Sequence, residues 1–298
     1  MATFLEGYYD YDDYENANLS MWIHEGDLFR PSTNLKLLPK LSPGIYTVDW
    51  DRDLGFFCKK LPFISDELYV FSDNKSKDLV NEIALFWEKK DLYKSNKLVH
   101  KRGILLTGYP GTGKTSIISQ VAEGVVKNSG IVFKVQDARN LEQYVNFLTL
   151  GFRKIQPETP VVTILEDIDK YQEVEPALLD FLDGKFSIEH HIVISTSNNT
   201  DNVPDSVLRP SRMDLLIEID LPSENIRREF FQHKNVPEKD LETLVEGSDD
   251  CSIADLKELY ICVYLMDYSI EDALSKILSP RERKNYLFKS GSTKKIGL

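Results

Sequence analysis

Cysteine is scarce in this chain: Cys58, Cys251 and Cys262 are the only three in 298 residues. An odd number cannot all pair and none has the spacing of a metal site, so a disulfide scaffold and a zinc module are excluded and a reducing compartment is expected. Long apolar runs are missing too. The longest, Ile261–Met266, falls far short of the roughly 18 residues of a membrane span, and no charged-then-apolar leader opens the sequence. The expectation is a soluble, cytoplasmic protein with no membrane partner. Positive charge is in deficit, with 36 Lys and Arg against 48 Asp and Glu and a net charge of −12. Extended binding along a nucleic-acid backbone is therefore not expected, although a local basic lining is compatible with that balance. Internal repeats and low-complexity tracts are absent. Hydrophobic residues, at 42% of the chain, leave ample material for a core and exclude global disorder.

What the chain does have is a phosphate loop. Gly108-Tyr109-Pro110-Gly111-Thr112-Gly113-Lys114-Thr115 fits the pattern G-x-x-x-x-G-K-[ST]. The apolar Ile104-Leu105-Leu106 ahead of it reads as a buried strand, and the stretch from Thr115 and Ser116 to Glu123 reads as a helix. In such a loop glycines let backbone N–H groups turn toward phosphates, and the helix N-terminus adds partial positive charge. Lys114 is placed to reach the β- and γ-phosphates, and the Thr115 hydroxyl to ligate Mg²⁺. Gly108 to Ser116 are thus the candidate binding residues for a nucleoside triphosphate.

Catalytic carboxylates follow in the right context. Val161–Leu165 reads as a second buried strand, ending in Glu166-Asp167-Ile168-Asp169. Acids at the carboxyl end of a parallel strand can hold Mg²⁺ and polarise an attacking water. Two adjacent carboxylates would repel without a cation between them. A third strand, Ile192–Asn198, ends in an amide that can sit between the γ-phosphate and the carboxylates. After a turn near Pro204, Arg209 and Arg212 stand three residues apart. The guanidinium group suits the charge spread over a transferring phosphoryl group.

In this order the segments resemble an AAA+ ATPase of the classical clade. The chain is most similar to the branch of the mitochondrial Rieske-protein translocase and its bacterial and phage-encoded relatives. The resemblance lies in Lys101–Gly108, the phosphate loop, Ile164–Asp169, Leu178–Gly184, Ser197-Asn198 and Leu208–Asp214, and it spans roughly residues 65 to 275. It implies ATP and Mg²⁺ as ligands, with Thr115 and Glu166 serving the metal, Asp167 as the water-polarising base and Asn198 as its partner. It implies that Arg209 and Arg212 reach into a neighbouring subunit's site, and hence a homo-oligomeric ring, a hexamer or a heptamer. Its implied function is ATP hydrolysis coupled to remodelling or translocating a protein client. The alternatives are an ATP-gated assembly or scaffold component of a larger complex, such as a phage's, and a nucleic-acid motor or loader. If phage-encoded, the chain would work in the host cytoplasm. Two departures stand out. Most of the family ends its second motif Asp-Glu, whereas this chain has Glu166-Asp167. The segment that grips substrate in the ring pore falls near Arg139–Glu142, with Tyr144-Val145-Asn146 close but out of register, so aromatic threading of a polypeptide is not expected from these residues.

The expected fold class is α/β: a P-loop NTPase parallel sheet flanked by helices (an AAA+ core), with a C-terminal helical lid and a small N-terminal α+β extension. Five segments are drawn. Residues 1–30 are acidic and Tyr-rich, a solvated tail or a docking segment. Residues 31–97 are a small extension with a β element at Gly44–Trp50 and Gly55–Lys60. A helix near Lys77–Lys89 follows, carrying Val80, Ile83, Phe86 and Trp87 on one face. By resemblance Phe71–Asn74 lies near the adenine base. Residues 98–220 are the nucleotide-binding core, with further strands at Ile131–Val135 and Leu215–Ile219. Residues 221–278 are the lid, with helices at Glu238–Glu246, Ser252–Met266 and Ile270–Leu278, where Ser252 is a fitting N-cap and Ile253 stands where a glycine is usual. Residues 279–298 are a basic tail.

Overall fold

Apolar segments uninterrupted by polar residues need cover on both faces, and the chain supplies it. The computed structural model describes residues 19–25, 28–35, 38–51, 55–62, 74–171, 175–183 and 188–278. Strands β1 (Leu19–Glu25) and β2 (Leu28–Leu35) pair antiparallel as a separate ribbon. The main sheet has seven strands: β3 (Gly44–Asp51), β4 (Gly55–Lys60), β5 (Lys101–Thr107), β6 (Ile131–Val135), β7 (Val161–Leu165), β8 (His191–Ser197) and β9 (Leu215–Glu218). Their order is β4-β3-β6-β7-β8-β5-β9, with every pairing parallel except β3 with β4.

Helices α1 (Asn74–Glu88), α2 (Lys90–Ser95) and α3 (Lys114–Lys127) precede β6 in the chain. Between β6 and β7 a continuous helical stretch runs through α4 (Leu141–Asn146), a π-helical turn (Phe147–Phe152) and α5 (Arg153–Ile155). Helix α6 (Glu175–Leu182) leads to β8. The period-2 alternation of strand side chains splits the core into two layers. Ile104, Leu106, Val132, Ile164 and Ile194 face α1 and α3, whereas Leu105, Phe133, Leu165 and Val193 face α4 and α6. Each such buried side chain contributes about 1.5–3 kcal/mol relative to exposure. The C-terminal helices α7 (Glu224–His233), α8 (Glu238–Gly247), α9 (Ile253–Tyr264) and a last one at residues 270–278 close around their own cluster of Phe230, Phe231, Leu244, Leu256 and Leu259.

This topology decides where chemistry can sit. β5 lies between β8 and β9, with Thr107 level with Ser197 on one side and Glu218 on the other. The chain leaves β5 toward β6, three places away, and returns from β8 to β9 across β5. Ligands in parallel α/β sheets bind outside the carboxyl ends at such a reversal of strand order.

Several expectations are revised. The apolar face of α1 is Leu79, Ile83 and Phe86, not Val80, which is 39% exposed; one residue corresponds to about 100° of helix rotation, so a shift by one moves the side chain off the face. The β element at 44–60 is not a separate unit, because β3 pairs parallel with β6 and extends the core sheet. The ribbon β1–β2 runs across the boundary drawn at residues 30 and 31. Tyr8–Tyr14, Phe71–Asp73, Gly184 and the basic tail lie outside the described residues.

One glycine is fixed by close approach. A Cβ on Gly103 would lie 1.7 Å from the carbonyl oxygen of Arg212. The same residue donates its N–H to Asp214 Oδ2 at 2.9 Å and accepts from the Asp214 N–H at 2.8 Å. Gly103→Ala must therefore move backbone against backbone, at a cost of about 1–3 kcal/mol or more, as in overpacked cores. Denaturant titration should show a lowered midpoint, and an unchanged midpoint would contradict the packing described.

Candidate nucleotide site

β5 ends at Thr107, and the chain turns through Gly108–Gly113 into α3, whose first residue is Lys114. The loop glycines Gly108, Gly111 and Gly113 have φ angles of 141°, 81° and 102°. Gly111 carries a second constraint from the C-terminal helices. A Cβ there would meet Ser252 Oγ at 2.8 Å and Ala254 Cβ at 2.9 Å, and its carbonyl accepts from the Ala254 N–H at 3.1 Å. The C-terminal helices thus touch the phosphate loop at the start of α9. That helix start is held by a capping box between Ser252 and Asp255, as its sequence suggests.

Lys114 is 7% exposed and curls back over its own loop. Its Nζ donates to the carbonyls of Gly108 at 2.7 Å and Tyr109 at 2.9 Å. Burial lowers its pKa from the ordinary lysine value, and the negative charges of Asp167 and Asp169 oppose that shift. Thr112 donates its hydroxyl to the same Tyr109 carbonyl at 2.9 Å. Tyr109, Pro110 and Thr115 are exposed, and Ser116 is half-buried.

The carboxylates stand two strands over, beyond β7. Glu166 forms an ion pair with Lys134 of β6 at 2.5 Å. Asp167 takes a left-handed backbone, with φ of 53°, and its N–H donates to Thr196 Oγ1 at 2.9 Å. Its Oδ1 accepts from Asn198 Nδ2 at 3.1 Å, and its Oδ2 accepts from Lys170 Nζ at 2.6 Å. The Lys170 pair is exposed, so solvent screening leaves it weak. Asp169 Oδ1 is buried with no hydrogen-bond partner among the described residues. A cleft of about 650 Å³ opens at this edge, lined by Thr107, Gly108, Tyr109, Asn198 and Glu218 among others.

The structure therefore brings the phosphate loop, Glu166, Asp167 and Asn198 to one edge of the sheet. Arg209 and Arg212 lie on the β8–β9 connection, and among the described residues no hydrogen bond or ion pair joins either to the loop or the acids. Arg209 is exposed, while Arg212 is held by Asp183. Sequence reasoning missed Lys134, Thr196 and Asp183. For Lys134 the signal was available: one lysine in the otherwise apolar strand Ile131–Val135. The candidate gripping segment holds a 3₁₀ turn at Ala138–Asn140, where Arg139 is exposed and paired to Asp137. Tyr144 is buried and bonded to Thr163.

A hard cation with oxygen ligands fits this edge. The exposed Thr115 hydroxyl, the Glu166 carboxylate and the partnerless Asp169 oxygen are donors of that kind. Among the described residues no three His, Cys, Asp or Glu converge as a metal group, so a Mg²⁺ here would take its remaining ligands from phosphate and water. Among the same residues no helix is long and apolar enough to cross a membrane.

Residues 104–221 match the family described as ATPase family associated with various cellular activities (AAA). The match covers about two fifths of the chain. The seven-stranded sheet, to which the matched segment supplies most of β5 and all of β6 to β9, has with its flanking helices the architecture of a P-loop α/β AAA+ core. The chain is 30% identical over 187 residues to a "Proteasome-associated ATPase" of Thermobifida fusca, covering 52% of this chain and 32% of that protein. It is 25% identical over 273 residues to a "Proteasome-activating nucleotidase" of Methanothermobacter thermautotrophicus, covering 80% and 65%. A Corynebacterium diphtheriae protein named "AAA ATPase forming ring-shaped complexes" is 26% identical over 229 residues, covering 66% and 45%. The chain spans from about a third to about two thirds of the length of these curated relatives.

Lys114 is the cation inside the loop, and charge-assisted hydrogen bonds are worth about 1.5–3 kcal/mol each. Lys114→Ala should weaken triphosphate binding by at least roughly 10- to 100-fold. Isothermal calorimetry checks this, and a wild-type dissociation constant would contradict the placement of the phosphates.

Proposed function

We propose that this chain hydrolyses ATP in a homo-oligomeric ring and uses the cycle to remodel or translocate a protein client. The observation that carries the reading is the convergence of Lys114, within its loop, with the Asp167–Asn198 pair at the same sheet edge. Ring formation and a protein client draw support from the relatives, which are named for ring-shaped complexes and for the proteasome. Residues 98–220 serve as the nucleotide-binding core and 221–278 as the lid. The three free cysteines suit a cytoplasmic setting.

The steps follow from the contacts. An entering triphosphate takes over the Lys114 ammonium from two neutral carbonyls, because a charge-assisted bond to phosphate is stronger. Loop N–H groups and the start of α3 bind the remaining phosphate oxygens. Mg²⁺, when bound, would be held by Thr115 and Glu166 and would neutralise charge between the β- and γ-phosphates. Asn198 fixes one oxygen of Asp167 and orients the carboxylate. The other oxygen, held by an exposed lysine through a weak pair, becomes available to accept a proton from the attacking water. An arginine from the 203–214 connection of the next subunit stabilises the transferring group. Loss of the γ-phosphate releases that contact, and the Ala254–Gly111 contact relays the change to the lid.

A second reading, an ATP-gated assembly component, draws support from Tyr144. The aromatic ring near the gripping segment is sequestered in the core, leaving the charged Arg139 outward.

Asp167→Asn keeps the hydrogen bond to Asn198 in reach but removes the base. ATP binding should stay near wild type while steady-state hydrolysis falls by about 10²–10⁴, the usual contribution of general base catalysis. Turnover at the wild-type rate would remove Asp167 from the mechanism.

A further inference from the structure

We infer that the two arginines of the β8–β9 connection are not equivalent. Arg212 is a positioning residue that braces the connection through Asp183, and Arg209 is the arginine presented to a neighbour. This deepens the proposed ring mechanism and rests on it for the role of Arg209.

The guanidinium of Arg212 engages three acceptor oxygens of its own subunit. Nε and Nη2 meet the two carboxylate oxygens of Asp183, the latter at 2.7 Å, and Nη1 donates to the Ser206 carbonyl. Asp183 directly follows α6, so the pair ties the connection to that helix. A second tie runs beside it, from Ser206 Oγ to Glu175 Oε1 at 2.6 Å. The Arg212 backbone is equally constrained. Its N–H donates to the Arg209 carbonyl at 3.1 Å, and its own carbonyl abuts Gly103. Asp214 locks the end of the turn, its two carboxylate oxygens accepting from the Gly103 and Ser211 N–H groups, each at 2.9 Å. Val203, Val207 and Met213 seat the connection in the core.

Arg209 contrasts at each point. Its side chain is exposed, and among the described residues no ion pair or side-chain hydrogen bond holds it. A guanidinium already matched fork to fork with a carboxylate has its charge neutralised and its donors occupied. To act on a phosphate elsewhere it would leave Asp183 uncompensated and release the connection. Arg209 carries an unneutralised charge at the outward turn of a braced loop, which is what stabilising a distant transition state requires.

Four variants separate the roles: Arg209→Ala, Arg212→Ala, Asp183→Asn and the double Asp183→Asn/Arg212→Ala. ATPase rates at saturating ATP and amide hydrogen exchange across residues 203–214 are the readouts. Arg209→Ala should lower the rate by about 10³-fold or more, as for a lost arginine finger, with exchange unchanged. Arg212→Ala and Asp183→Asn should each lower it by a similar factor of about 10², the cost of misplacing a reacting group, and each should raise exchange. The double variant should lose no more than either single one, since both remove one interaction. Arg212→Lys, which keeps an ion pair with Asp183, should recover part of the rate. Asp183→Asn is nearly isosteric and carries the test if Arg212→Ala fails to fold. Wild-type or faster turnover in Asp183→Asn, beside an inactive Arg212→Ala, would overturn the brace and make Arg212 a group that works outside the pair. Wild-type exchange in Arg212→Ala or Asp183→Asn would overturn it as well. A wild-type chain that hydrolyses no ATP at any concentration would overturn the proposed function instead, and the exchange data would still decide the brace.

Discussion

The parallel pairing of β5 between β8 and β9 is the constraint on which the site depends. It sets Thr107 level with Ser197 and Glu218, and β7 beside β8 brings Glu166 and Asp167 to the same edge. The phosphate loop, the two acids and Asn198 follow three separate strands: the loop opens directly beyond β5, and Glu166, Asp167 and Asn198 are the first or second residues beyond β7 and β8. Their relative positions are therefore fixed by backbone hydrogen bonds, not by flexible side chains. The same pairing admits the Arg212 carbonyl against Gly103, so the connection that bears the arginines is registered to the strand that bears the loop.

Electrostatics adds a second layer of order. Lys114 rests on two carbonyls, Glu166 on Lys134, Asp167 on Lys170 and Asn198, and Arg212 on Asp183. Most of these partners belong to segments next to the site and hold its charged groups in place. A nucleotide has to exchange some of these bonds, and the exposed or neutral partners yield at the smallest cost. The Ala254–Gly111 contact gives the lid a direct mechanical link to the loop where that exchange occurs.

Much of this was legible in the sequence, for identifiable reasons. Mostly apolar runs marked β6, β7 and β8 to within a residue, and the buried part of β5, because strands covered on both faces leave little room for polar side chains. The glycine pattern marked the loop because backbone at positive φ has few alternatives. Ser252 marked the start of α9 because a capping box is a local feature. What was not legible depends on partners distant in sequence. The joining of β3 to β6 is a pairing between segments more than 80 residues apart, and periodicity carries no information about it. The Lys134–Glu166 and Arg212–Asp183 pairs lie across elements, so two arginines three residues apart looked alike until their surroundings were known. The offset of α1 by one residue shows the limit of periodicity when an apolar side chain adjoins the buried stripe on each side.

The central claim is that hydrolysis needs a group from the next subunit. The most direct test mixes two variants, Lys114→Ala, which lacks the loop cation, and Arg209→Ala, which lacks the outward arginine. Each alone should be nearly inactive. In mixed rings some boundaries join an intact loop to an intact arginine, so the mixture should recover a substantial fraction of wild-type turnover, and the wild-type rate per subunit should fall on dilution as the ring dissociates. No recovery on mixing, together with a wild-type rate per subunit that stays constant on dilution, would contradict the account.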